Sequence, residues 1–435
     1  MEKIGQLNVF EQQPGLAGLY TQICFCFSVE DESSHATIVD ALTKGLERLT
    51  ASFPWLAGQV VNEGSSEGNT GVFKIVPLNK IPQLVVKNLR SDPSTLIAPR
   101  NTLPGCPGTE IRPVLLLQAN FITGGLLLTF VAQHNTMDMT GQGHLIRFFS
   151  KACHNEQFTE EEVAAGDRTN KDLVPLLDES YRQGPELARQ AIQHIPPVGV
   201  NSVHETLLPP PKSSWAYFKF SKASLEAIKT IATKTLSSGF ISTDDALSAF
   251  IWQSIIRARL PRLEASSIST FARAVDVRRF FGISKLYTGL LQNMTYKTHT
   301  LQHLIAAPLG TIASQLRSLV DPQTSTLKYD TRALATCLER SPDRSILSFT
   351  ATINLSTDIM LSSWAKVEAY DLDFNLGLGV PECVRRPRFL PFESLLYLMP
   401  RSREGGIALA VCLREEDMER LRGDGEFGKY GVYVG

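Results

Sequence analysis

An α/β (α+β) fold of two sheet-and-helix layers is predicted from this sequence by three observations. Helical and strand-like apolar periods alternate through both halves of the chain. A proline-broken stretch of weak patterning, residues 181–212, separates those halves. The apolar run Gly124–Ala132 has the composition of a strand covered on both faces. The expected division is residues 1–180, a crossover linker over 181–212, and residues 213–435. A chain of 435 residues is long enough for two or more cores, since single cores stop growing beyond about 250–300 residues.

The elements follow in order. Ile38, Leu42, Leu46 and Leu49 fall at helical spacing in Ala36–Thr50. Phe53-Pro54 ends that helix, because the residue before proline is pushed out of the helical region. Trp55–Val61 reads as a turn into a strand, and Asn62–Gly71 as a hairpin loop leading to a strand at Val72–Val76. Pro113–Asn120 and Gly124–Ala132 are neighbouring strands, followed by a helix from near Gly141 with Leu145, Ile146 and Phe149 inward. The second half opens with a strand at Trp215–Phe220. Ser242-Thr243-Asp244-Asp245 then starts a helix, its hydroxyls and carboxylates suited to free amides and the helix dipole. Further strands are expected at Ser267–Val275, Ser345–Thr352, Leu395–Met399 and Gly406–Leu413, and a final helix at Arg414–Leu421.

Bulk properties exclude several classes. The net charge of −1 gives no field to recruit nucleic acid or an anionic membrane. No apolar run reaches the roughly 18 residues that span a bilayer. Met1–Gln6 lacks the charged and apolar regions of a signal peptide. The 7 cysteines (Cys24, Cys26, Cys106, Cys153, Cys337, Cys383 and Cys412) are odd in number and form no Cys-x-x-Cys, as expected of free thiols in a cytoplasmic protein. His299 and His303 share a spacing but have no third ligand nearby, so no metal site is expected. No nucleophile elbow on a strand-to-helix turn and no phosphate-binding loop is expected.

Three constellations could carry chemistry. His134 follows a buried strand and precedes Asp138 by four residues. Histidine is the side chain best placed to accept a proton near neutral pH, and the carboxylate can fix the ring or organise the turn. The spacing alone fits a structural, helix-capping histidine equally well. Asp373-Phe374-Asn375-Leu376-Gly377-Leu378-Gly379 carries glycines at alternate positions. By itself it describes a turn between elements, and it lacks the third glycine of a dinucleotide fingerprint. Arg278, after Val275-Asp276-Val277, either reaches solvent at a strand end or pairs with a carboxylate in bidentate geometry.

Taken together, an ordered series of motifs is far more specific. It comprises Phe53-Pro54-Trp55-Leu56-Ala57-Gly58-Gln59-Val60, His134–Asp138 with Met139-Thr140-Gly141-Gln142, and Ser150-Lys151-Ala152-Cys153. It continues through Ser242–Trp252, Gly289–Tyr296, Leu361–Val367, the Asp373 motif and Val384-Arg385-Arg386-Pro387. Nearly end to end, this resembles the BAHD family of acyl-CoA-dependent acyltransferases, most closely its fungal trichothecene 3-O-acetyltransferase branch.

The resemblance implies two chloramphenicol-acetyltransferase-like domains, the first with the HxxxD motif and the second with the DFxxG motif. A channel would run between them with the histidine midway. It implies acetyl-CoA as co-substrate, no metal, a small-molecule alcohol as acceptor (a trichothecene C-3 hydroxyl being the nearest model), and a monomer acting in the cytoplasm of a fungus. His134 would be the general base. Asp138 would point away from the substrate into an ion pair, with Arg278 as the expected partner. Asp373 and Gly377 would support the fold near the coenzyme channel. The oxyanion formed in acyl transfer needs a donor, for which Asn293, Ser363 and Trp364 are the candidates.

The chain departs from the family pattern twice. Asn375 stands where glycine is usual, although asparagine tolerates positive φ. Ser91–Pro99 lacks an insertion carried by the trichothecene enzymes, and such loops often line acceptor pockets. These departures keep open a different terpenoid or polyketide alcohol, or a catalytically weak binding relative. A carrier-protein-dependent condensation module is disfavoured. Such modules carry two adjacent histidines and an Asp-Gly pair, whereas Gln133 precedes His134 and Met139 follows Asp138.

Overall fold

Residues 7–78, 84–89, 111–169, 171–192, 211–236, 238–348, 350–387 and 390–435 are described by the computed structural model. The first half contributes β1 (Tyr20–Ser28), α1 (His35–Ser52), β2 (Gly58–Glu63), β3 (Val72–Pro77), β4 (Leu84–Leu89), β5 (Leu115–Ile122), β6 (Gly125–Gln133), α2 (Met139–Cys153) and α3 (Glu160–Gly166). β1, β6 and β5 are antiparallel neighbours, and β4 joins parallel to β5. β2 and β3 form the expected separate hairpin. β6 is buried at nearly every position, and its Leu126, Leu128, Phe130 and Ala132 share one core with α1, α2 and Phe374 of the second half. α1 stops at Phe53, whose φ of −129° leaves the helical region ahead of Pro54.

The second half contributes β7 (Ser213–Phe220), α4 (Lys222–Lys234), α5 (Thr243–Arg259), β8 (Ile268–Asp276), β9 (Gln292–Thr300), α6 (Leu301–Ala306), α7 (Leu309–Ser318), α8 (Leu327–Arg340), β10 (Ile359–Ser363), β11 (Cys383–Arg385), β12 (Leu395–Leu398), β13 (Ile407–Arg414), α9 (Glu415–Gly423), α10 (Gly425–Gly428) and β14 (Gly431–Tyr433). Seven of these strands make a mixed sheet in the order β14-β7-β13-β12-β10-β8-β9. α5 is capped by Ser242, whose hydroxyl and backbone exchange bonds with Asp245, and Trp252 donates from its indole to Ser269 at 3.0 Å. β11 leaves its own half and pairs antiparallel with β1, so the second half supplies an edge of the first sheet.

Several expectations are corrected. Among the described residues of Ser345–Thr352 there is no ladder strand: Asp343 accepts from the Ser345 amide and draws 344–346 into a turn, and Leu347 makes an isolated bridge to Ala191. The helix expected from Gly141 begins at Met139, and the helix at Arg414–Leu421 is followed by α10 and β14. The prolines at 196, 197, 209 and 210, the Ser91–Pro99 loop, Cys106 and Met1–Gln6 lie outside the described residues. The six other cysteines are free thiols. Among the described residues no helix is long and apolar enough to cross a membrane, and no group of His, Cys, Asp and Glu could hold a metal.

Candidate active site

His134 is the residue after β6. Its amide donates to the carbonyl of Leu19 at 2.9 Å, so the backbone is fixed by β-type pairing up to the point where the chain turns. The turn closes because Thr136 donates from both its amide (3.0 Å) and its hydroxyl (2.8 Å) to the carbonyl of Gln133. That bend brings the Met137 carbonyl 3.2 Å from Nδ1 of His134. A carbonyl only accepts, so Nδ1 carries the hydrogen and the Nε2 lone pair is left to take a proton. Gln133 and Asn135 on either side are fully buried, while His134 is only partly buried. Burial lowers the imidazole pKa below its usual value, and the Met137 bond opposes this without reversing it. The ring is therefore neutral near pH 7, the form in which an imidazole can accept a proton.

Asp138 does not touch the ring. Its backbone is extended and its side chain caps α2, accepting from the Gly141 amide at 2.8 Å. The same carboxylate accepts from the Leu291 amide at 2.8 Å and from both terminal nitrogens of Arg278, at 2.9 and 3.0 Å. Burial acts to raise its pKa, but the guanidinium and the amides outweigh burial and hold it below the ordinary carboxylate range. Arg278 also bonds Asp276 and the carbonyls of Tyr287 and Gly289. The turn after His134, from the first half, is thus tied to residues 276–291 of the second. Gly141 is required by close approach: a Cβ there would lie 2.1 Å from the Thr288 carbonyl oxygen.

The Asp373 motif lies against the end of α2. Asp373 accepts from the Asn375 amide at 2.7 Å, and its carbonyl accepts from Ser150. Asn375 adopts φ +55° and donates to the Cys153 carbonyl at 3.2 Å, so it fills the left-handed position and ties the turn to α2. Gly377 has φ +73°. Between Asp373 and Asn375, Phe374 is fully buried against Phe25, Phe27, Phe130 and Phe149. Burying such a ring is worth roughly 1.5–3 kcal/mol, more than a turn hydrogen bond at about 1 kcal/mol. Packing therefore outweighs the turn hydrogen bond in holding the motif in place.

None of the three expected oxyanion contacts is hydrogen-bonded to His134. The Asn293 amide donates to Thr331 at 3.1 Å, while its oxygen accepts from Met294 and Gln190. Ser363 donates to Asp244 at 2.6 Å. Trp364 donates to Ser362 at 3.0 Å, with its ring 4.9 Å from that of Tyr397. The Ser363 hydroxyl and the Trp364 indole are thus engaged within the protein, while the Asn293 amide uses one of its two hydrogens on Thr331. Sequence reasoning also missed Glu11 and Arg168, a buried pair behind the His134 turn. His299 and His303 stack at 4.5 Å, and His299 Nε2 contacts Gln315. A surface cavity of about 410 Å³ is lined by Lys222, Lys229, Arg401 and Arg403 among others, where α4 and α5 begin; His134 is not in its lining.

Comparison with known proteins matches residues 19–153 to the trichothecene 3-O-acetyltransferase-like N-terminal domain and residues 91–427 to the transferase family. An O-acetyltransferase of Cryptosporiopsis sp. is 55% identical over 99% of this chain and 98% of its own. A trichothecene 3-O-acetyltransferase of Fusarium sporotrichioides is 49% identical over 99% of this chain and 97% of its own. The crystal structure of an F. graminearum enzyme of that kind, complexed with coenzyme A and deoxynivalenol, superposes with a TM-score of 0.92 at 48% identity, covering both chains fully. On these matches the chain belongs to the transferase family, in its trichothecene 3-O-acetyltransferase-like branch, and is an acyl-CoA-dependent O-acyltransferase.

Proposed function

We propose that this enzyme acetylates a hydroxyl of a fungal secondary metabolite, with the C-3 hydroxyl of a trichothecene as the leading acceptor and His134 as general base. The observation that carries the reading is the pinning of Nδ1 by Met137, which leaves Nε2 as the proton acceptor on a ring that is only partly buried. Nε2 takes the acceptor proton as the hydroxyl oxygen attacks the thioester carbonyl. Collapse of the tetrahedral intermediate breaks the C–S bond, and the imidazolium returns the proton to the departing thiolate. Ester and free coenzyme A result. Asp138 and Arg278 hold the turn, and Asp373 and Gly377 hold the packing beneath it. The cavity at Lys222, Lys229, Arg401 and Arg403 is also lined by Glu226 and Glu404, and its surplus of cations matches the sign of the donor's phosphates.

A different alcohol acceptor is the second reading, since the 55% identical relative is an O-acetyltransferase whose name specifies no trichothecene. We read the protein as a cytoplasmic monomer, a location in keeping with its free thiols. Radiolabelled acetyl-CoA incubated with a panel of trichothecene, terpenoid and polyketide alcohols, with products identified by mass, tests the acceptor. The same incubation with His134→Ala tests the base: transfer at the wild-type rate rules it out.

A further inference from the structure

The chain ahead of β1 is bonded throughout to the His134 turn. The Ala17 carbonyl accepts from the Gln133 side chain at 2.6 Å, the Leu19 carbonyl from the His134 amide, and the Glu11 carbonyl from Asn135. Glu11 itself is fully buried, and its carboxylate meets Arg168 at 2.5 Å, where Arg168 is also buried. Arg168 donates its other terminal nitrogen to the carbonyl of Thr136 at 3.1 Å. The next residue, Met137, supplies the carbonyl that holds Nδ1 of His134.

Two neighbouring amides bind this pair and the Asp138–Arg278 pair in parallel. Leu290 donates to Glu11 at 2.9 Å, and Leu291 donates to Asp138 at 2.8 Å. Asn8 donates to the Leu290 carbonyl at 3.0 Å and caps the short turn that carries Glu11. The Arg168 guanidinium lies 5.1 Å from the ring of Trp55 and 5.8 Å from that of Tyr287. This gives a place to the Phe53–Val60 motif, whose Trp55 also donates to the Gly166 carbonyl at 3.0 Å. A fully desolvated ion pair adds little net stability over apolar residues of the same volume. Its fixed geometry can do what apolar residues cannot, which is to hold a carbonyl in one place.

We propose that Glu11 and Arg168 are positioning residues for acyl transfer: their ion pair fixes the Thr136–Met137 backbone and, through it, the direction of His134 Nε2. The inference rests on His134 as the base. Arg168→Lys keeps the charge and loses the fork that reaches Glu11 and Thr136 together. In the full-length protein it should melt near the wild-type temperature and lower kcat roughly tenfold or more, with the KM for acetyl-CoA held within about twofold. Glu11→Leu combined with Arg168→Met removes both charges. It leaves the Leu290 and Asn8 amides without the carboxylate, so it should melt lower yet stay folded at the assay temperature, with kcat still depressed. Recovery of kcat with stability, a rise in KM in place of a fall in kcat, or failure of the double variant to fold each makes the pair a structural element and overturns the proposal. His134→Ala, assayed alongside, separates the two readings. If it is inactive while the folded Arg168 variants are fully active, only this inference fails. If it is active, the assignment of the base fails.

Discussion

Arg278 grips Asp138 through both terminal nitrogens, at 2.9 and 3.0 Å, from a point 140 residues further along the chain. The carboxylate also accepts two amides, so all its lone-pair directions are used. Asp138→Asn puts an NH₂ group against donors and leaves the Arg278 charge with weaker compensation. Loss of the cap alone costs about 1 kcal/mol, but breaking a buried pair costs about 3–5 kcal/mol, so the pair dominates. We expect a loss in that upper range from denaturant midpoints, together with a fall in kcat as the turn loosens. A loss under about 1 kcal/mol would mean that the pair contributes little beyond the cap.

The acid limb of the pH–rate profile should fall below the ordinary histidine range. The His134 pKa is lowered in the folded protein, mainly by burial, and the base form is the neutral one. Activity therefore rises with pH through that lowered value and is already full near 7. The sign for stability is the same. The unfolded chain binds the proton more readily, so stability from this group is present above the unfolded pKa of about 6.5 and is lost as pH falls through the folded one. A kcat/KM profile with its midpoint above about 6.5 would contradict the assignment.

How legible the molecule is depends on where its ordering forces lie. α1 and α5 are readable because their apolar periods and end signals, Phe53-Pro54 and Ser242–Asp245, are local. β9 is not legible as a strand. It is the sheet's edge, and Gln292-Asn293-Met294-Thr295-Tyr296 alternates little because only part of it is covered. β11, three residues long, exists only because β1 is beside it. At the site, His134 and the Asp138–Arg278 contact could be anticipated from motif and resemblance. Glu11 and Arg168 could not, because their 157-residue separation leaves no local trace and the enclosing elements are short turns.

Gly141→Ala should be far more damaging than an exposed helical glycine change, which usually gains stability. The added methyl would sit 2.1 Å from the Thr288 carbonyl oxygen and 3.2 Å from that of Gly289, both backbone atoms, so α2 or residues 287–291 must move. Overpacking of this kind costs roughly 1–3 kcal/mol. Because Leu291 and Gly289 belong to the Asp138–Arg278 network, kcat should fall with stability. Thermal melts and turnover measured together check this, and a variant as stable as the parent would show that the contact relaxes freely.

Asp373→Ala removes the acceptor that closes the Asn375 turn at 2.7 Å. The left-handed Asn375 then loses its local support, yet Phe374 keeps its place among four other rings, so the fold survives. The expected loss is about 1 kcal/mol, the worth of one hydrogen bond. Since the motif bonds to α2 through Ser150 and Cys153 and makes no bond to His134, kcat should hold near the wild-type value. Melting curves and saturating-substrate turnover distinguish the two roles: a normal melting temperature with collapsed kcat would place Asp373 in the chemistry and not beneath it.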